Sequence, residues 1–160
     1  MSGLESRLAV LLTTIGLFVS PLWAGDEEVV DPAEIVEQYI SAWSQHDVET
    51  MSNLMSEDIR AMGVENDLID VWTIGKDQTR DMIAGQFKAS PTTRSEILDR
   101  SRLGKFVYVL ENAQRDSDGE VYSQCAMSIY EVRDNLIANV WYFSEQSCEH
   151  ASRTSKEFQR

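Results

Sequence analysis

A chain of 160 residues, 42% hydrophobic and 26% charged, has room for one core and is long enough to fold without a metal or disulfide staple. Extended disorder and repeat arrays are excluded by that composition. Its 14 basic and 27 acidic side chains leave a net charge of −13, which denies it the cationic footprint that phosphate binding needs and removes nucleic acid as a partner.

Arg7 precedes an uncharged apolar run over residues 8–19, which Ser20 and Pro21 break before Ala24. This is the layout of a secretory signal cleaved after Ala24, so the expected location is periplasmic or secreted. The competing reading is an uncleaved anchor with membrane contact, but residues 8–24 fall short of the roughly 20 needed to span a bilayer. Residues 1–24 are therefore read as signal peptide, 25–32 as linker, 33–145 as one domain and 146–160 as a polar tail. Cys125 and Cys148 are the two cysteines. An oxidising compartment would let them form a bridge tying tail to sheet; a buried thiol and a separate tail thiol is the alternative.

Asp31 as N-cap, Pro32 in the first position and Glu34 completing a capping box predict a helix over residues 32–45. Ile35, Val36, Tyr39, Ile40 and Trp43 form its buried stripe. Asp47 caps a second helix with Val48, Met51, Leu54 and Met55 inward, expected to end near residues 56–58. A strand over 59–64, an extended piece over 68–74 and a break at Gly75 lead to a third helix over 76–88, buried through Met82, Ile83 and Phe87. From Ser95 the hydrophobic period changes to two, predicting strands over 95–102, 105–114, 120–132 and 136–144. Turn residues at 116–119 and 133–135 make the last three an antiparallel meander. Apolar residues on both strand faces imply that one side packs on the helices and the other meets a second subunit. Helices first and a curled antiparallel sheet after is an α+β class.

Tyr39-Ile-Ser-Ala-Trp43, Asp47, Leu54-Met-Ser-Glu-Asp58, Gly75 opening a helix, Tyr130-Glu-Val-Arg-Asp-Asn-Leu-Ile137 and Trp141-Tyr-Phe143 together resemble the nuclear transport factor 2-like superfamily. Within it the SnoaL-like and ketosteroid-isomerase-like branch is the nearest in pattern. The resemblance spans about residues 33 to 144 and implies a cone: a curved antiparallel sheet wrapped around N-terminal helices, a cystatin-like α+β roll with a pocket at its wide end, dimerising through the outer sheet face. Ketosteroid isomerases use a helix tyrosine, a protonated aspartic acid and an aspartate base. Tyr39 matches the tyrosine by its offset from Asp47 and Asp58, but the base position falls at about Gly63 and the second acid at about Ser128. The usual catalytic acids are thus replaced, unless a shifted loop brings Glu65 or Asp67 to the base position. SnoaL-type cyclases rely on an acid/base aspartate; His46, at a helix corner, and His150, in the tail, are poorly placed for a pocket. No cofactor and no metal are expected, because two histidines and two cysteines lack ligand spacing, and no phosphate loop or nucleophile elbow is present.

If the strands curl as in that family, the inward parity selects Tyr122, Gln124, Ala126, Ser128 and Tyr130, then Ala138, Val140 and Tyr142. With Tyr39 and Trp43 these predict an aromatic wall carrying a few hydroxyl and amide groups, suited to a small apolar, aromatic or carbonyl-bearing molecule, with Tyr39 and Ser128 donating to a ligand carbonyl. Plain core filling is the other reading of Tyr39 and Trp43. Trp72 is either a lid at the mouth or a surface anchor for the next helix. Hydroxyls and an amide provide no group that changes protonation state in turnover, so binding is expected over catalysis. The alternatives are an isomerase-like or cyclase-like enzyme, which a carboxylate inside the cavity would revive, and an oligomeric interaction module working through Val121, Met127 and Ile129 on the outer face.

Overall fold

The protein is described by a computed structural model over residues 30–117 and 119–148. The expected signal, its cleavage site, most of the linker and the tail beyond residue 148 lie outside the described residues.

Asp31 accepts a hydrogen bond from the Ala33 N–H at 2.9 Å and, with Pro32 in the first turn, starts helix α1 (Pro32–Ser44). Asp47 accepts from the Thr50 N–H at 3.0 Å and starts α2 (Val48–Asn53). This second helix is shorter than the sequence suggests. Met55, expected on its apolar stripe, instead opens strand β1 (Met55–Glu65). Met55 sits opposite Ile137, and the Ile137 N–H donates to the Leu54 carbonyl at 2.8 Å. Both side chains are fully buried there, a burial that one more exposed helical turn would not provide.

Strand β2 (Leu68–Ile74) folds back on β1, and Gly75, at φ 95°, turns the chain into α3 (Lys76–Ala89). That positive φ is open to glycine at low cost, and the Gly75 N–H is held by the Ile59 carbonyl at 2.7 Å. Strands β3 (Arg94–Leu103), β4 (Phe106–Ser117), β5 (Glu120–Arg133) and β6 (Leu136–Phe143) follow as a meander. Asp134 and Asn135 both take positive φ, 50° and 59°, as a two-residue type I′ hairpin requires.

The order across the sheet is β2-β1-β6-β5-β4-β3. It is a mixed sheet and not a wholly antiparallel one, because β1 lies parallel to β6, with Met55 opposite Ile137 and Val64 opposite Phe143. The long excursion through β2, α3 and the meander returns the chain to the end of the sheet where β1 began. Register shifts at Ala61/Met62, Ile97/Asp99 and Glu131/Val132 bend the strands, and the curved sheet closes over α1. Its concave side contributes Val107, Val109, Tyr130, Val132 and Val140 to one core with Ile35, Val36, Tyr39 and Ile40. Burying each such aliphatic is worth about 1.5–3 kcal/mol, whereas a helix cap is worth about 1 kcal/mol. Packing on the sheet therefore fixes where Tyr39 points.

Two further devices shape the wide end. Cys125 and Cys148 form a disulfide with their Cα atoms 4.8 Å apart, so the bridged alternative holds. Cys125 also exchanges both backbone hydrogen bonds with Gln146 at 2.9 Å, which lays the segment after β6 along β5. On the other side, Trp72 reaches across Gly63 and stacks on Tyr142, ring centroids 5.6 Å apart and 9° from parallel. A Cβ at Gly63 would stand 2.4 Å from the Trp72 ring, so the missing side chain is what admits the indole.

Gly63→Ala should dislodge Trp72 from Tyr142 at a cost of about 1 kcal/mol, the low end for overpacking because the half-exposed ring has solvent to swing into. Acrylamide quenching checks this: the fluorescence component that disappears in a Trp72→Phe control should become more accessible in Gly63→Ala. Unchanged quenching would contradict the packing.

Candidate functional site

A cavity of about 790 Å³ opens at the wide end of the cone between α1, α3, the β1–β2 hairpin and the concave sheet. Its inner part is aromatic and hydroxylic: Tyr39 from α1, Tyr130 from β5 and Tyr142 from β6 line it. The phenol groups of Tyr39, Tyr142 and Tyr130 neighbour one another in that order, and that of Tyr130 neighbours Ser128. Tyr39 and Tyr130 also meet edge to face, centroids 5.9 Å apart. Burial pushes all three phenols well above their ordinary pKa, so they stay protonated hydrogen-bond donors.

Glu111, on β4, lines the same cavity and is 9% exposed. Ser128 donates to its Oε1 at 3.1 Å, and Ser95, from β3, donates to its Oε2. Burial raises its pKa above the ordinary 4.5; the two serine hydroxyls partly oppose this, and the charge of Glu145 adds to it. A carboxyl that holds its proton more tightly than usual is also a stronger base once the proton leaves. Tyr39, Tyr142, Tyr130, Ser128 and Glu111 form one contiguous polar row at the inner end of the cavity.

Of the residues expected at the site, Tyr39, Trp43, Tyr130 and Tyr142 line the cavity, as does Ala126. Ser128 is fully buried behind Glu111 and acts through that carboxyl, not at the cavity surface. Val140 faces inward but is 1% exposed and belongs to the core under the cavity floor. Tyr122 and Gln124 are corrections: both are exposed and neither lines the cavity. Their parity is inward, but the lining on these two strands ends at Ala113 of β4 and Ala126 of β5: Gln124, opposite Ala113, stands at that edge, and Tyr122, opposite Arg115, lies past it. The Tyr122 ring packs under the Arg115 guanidinium and its hydroxyl donates to Glu120. Trp72 lines the mouth while half exposed. Of the two acids considered for the base position, Glu65 is on the rim and Asp67 is not among the lining residues. His46 bonds the Thr93 carbonyl at 2.7 Å and stacks on Phe87, away from the cavity surface; His150 lies outside the described residues.

Glu111 was missed because the acid was sought on β5, at Ser128. The signal was one strand away, where Val107, Val109 and Glu111 share an inward parity and a carboxylate follows two buried valines. Among the described residues, no group of three or more His, Cys, Asp or Glu side chains is arranged to hold a metal ion.

The family model for the SnoaL-like domain matches residues 36–140. No curated protein sequence matches the chain. Among solved structures, a cystatin-fold protein from Novosphingobium aromaticivorans is 26% identical, with a TM-score of 0.61, over 72% of this chain and 99% of its own. A cystatin-like protein from Xanthomonas campestris is 20% identical, with a TM-score of 0.63, over 76% and 95%. A protein assigned as a SnoaL-like polyketide cyclase, from a Jannaschia species, is 15% identical, with a TM-score of 0.61, over 77% and 89%. With more than half of its length matched by the family model and its fold shared with these structures, the chain belongs to the SnoaL-like domain family of the nuclear transport factor 2-like superfamily.

Proposed function

We propose that this domain binds a small, largely apolar molecule in the cavity and exchanges a proton with it through Glu111. The carrying observation is a buried carboxyl lining an aromatic cavity and tied to three phenols. A pocket with hydroxyls alone would bind and not turn over; the carboxyl supplies the missing titrating group. In the ionised state Glu111 takes a proton from a carbon next to a ligand carbonyl, a tyrosine hydroxyl donates to the carbonyl oxygen as it gains charge, and the proton is then returned. The polyketide-cyclase assignment of a structural relative fits chemistry of this class.

Export and dimerisation complete the reading. The Cys125–Cys148 disulfide suits an oxidising compartment, which supports a chain cleaved after Ala24 and released to the periplasm or beyond. Met127, Ile129 and Trp141 remain partly exposed on the convex face in the single chain, which supports a homodimer through that surface.

Incubating the protein with 2-tetralone, an enolisable bicyclic ketone, in heavy water tests the proton-exchange role. Deuterium should enter beside the carbonyl faster with the wild type than with Glu111→Gln, by about 100-fold or more; equal rates would remove Glu111 as the acid–base group and leave binding alone. Tyr39→Phe should weaken ketone binding by about 1–2 kcal/mol, and unchanged affinity would take Tyr39 out of the contact.

Glu111→Gln also carries a pH signature. The folded state holds the Glu111 proton more tightly than the unfolded chain does, so this contribution to stability is complete below pH 4.5 and is lost as pH rises through the folded value. Urea unfolding from about pH 4 to about pH 8 should show wild-type stability declining relative to Glu111→Gln as pH increases. A constant difference would mean that Glu111 is not held protonated.

A further inference from the structure

Resting on the reading of the cavity as a ligand pocket, the charge of its lining narrows what enters it. Among the described residues, four carboxylates line it, Glu65, Asp70, Glu111 and Glu145, and no lysine, arginine or histidine does. Some acids elsewhere are neutralised, as where Lys76 pairs with Glu57, Arg100 with Glu37 and Arg133 with Asp58, while others among the described residues stand unpaired in water. Among the described residues, none of the four cavity carboxylates has such a partner. Glu65, Asp70 and Glu145 are exposed and mark the mouth, whereas Glu111 is nine-tenths buried inside. Like charges around a low-dielectric hollow repel one another and focus a negative potential into it. An anionic ligand would enter against that potential and meet no cationic side chain among the described lining residues.

The walls are equally selective. The Trp72 indole, stacked on Tyr142, lines the mouth, and Trp43 lies further in, edge to face with Phe87 at 4.8 Å. An indole face attracts a positive charge, most effectively a weakly hydrated substituted ammonium. Aromatic faces and uncompensated carboxylates around one hollow make a cation cage.

We propose that the ligand is an amine carrying an apolar body, its positively charged nitrogen held at the mouth between Trp72 and the carboxylates of Glu65, Asp70 and Glu145, and its body extending inward toward Tyr39 and Glu111. The cation offsets the mutual repulsion of the rim acids, and the aromatic walls replace its loosely held water.

Three probes of nearly one shape and different charge test this: phenyltrimethylammonium, its neutral carbon counterpart tert-butylbenzene, and benzenesulfonate, each titrated against the tryptophan fluorescence of the full chain. At low ionic strength the cation should bind about tenfold more tightly than tert-butylbenzene, the preference should shrink as salt is added, and benzenesulfonate should bind most weakly. The triple variant Glu65→Gln, Asp70→Asn, Glu145→Gln changes only exposed side chains; it should lower affinity for the cation by about fivefold and leave that for tert-butylbenzene unchanged. Neutral binding equal to or tighter than the cation's, or a cation preference intact in the triple variant, overturns the amine assignment while the pocket stands. No binding by any of the three overturns the pocket and the amine together.

Discussion

A carboxyl group held out of water is the constraint on which the wide end of this domain depends. Glu111 sits on the concave side of β4, in line with Val107 and Val109, where an ionised side chain is poorly hydrated and has no cationic partner among the described residues. Two serines from the neighbouring strands, Ser95 and Ser128, satisfy its oxygens. Ser128 in turn connects it to the phenols of Tyr130, Tyr142 and Tyr39. Buried polar groups in a low dielectric are favourable only when the whole set is satisfied. The five residues therefore have to be placed together, and the sheet's register against α1 is what places them.

This arrangement departs from the isomerase pattern in an ordered way. The position expected for the base is Gly63, and the volume its side chain would occupy is filled by the Trp72 indole. The position expected for the second acid is Ser128, and the buried carboxyl of the cavity is instead Glu111, on the neighbouring strand, to which that serine donates. The rim comes from other parts of the chain, the β1–β2 hairpin and the segment that follows β6, the second of which the disulfide ties to β5.

Most of the fold was legible because its signals are local. Asp31, Pro32 and Asp47 announce helix starts in four-residue windows, Gly75 and the Asp134-Asn135 pair announce turns, and the change of hydrophobic period near Ser95 separates helices from meander. What was not legible is long-range. Met55 satisfies the stripe of a helix and the inward face of a strand equally well, and only Ile137, far along the chain, decides between them. The parallel pairing of β1 with β6 leaves no mark in either segment. At the site, parity correctly identified Tyr130 and Tyr142, but it carries no information about where along a strand the cavity ends, so Tyr122 and Gln124 were included. Glu111 was passed over because an acidic side chain near the polar end of a strand, here between Leu110 and Asn112, is ordinarily read as solvent-facing; its inward parity with Val107 and Val109 was the stronger clue.

The parallel pair of β1 and β6 has a consequence for how the molecule is assembled. β1 is made early and β6 last, and everything between them has to be looped out before the two can meet. Until Leu136–Phe143 has left the ribosome, one flank of β1 has no hydrogen-bonding neighbour, and Met55 has no Ile137 to bury against. Closure over so long a stretch is entropically costly and slow. The cone is thus completed from its two chain ends inward, and a nascent polypeptide halted before that final strand carries an open, apolar sheet edge for chaperones to guard.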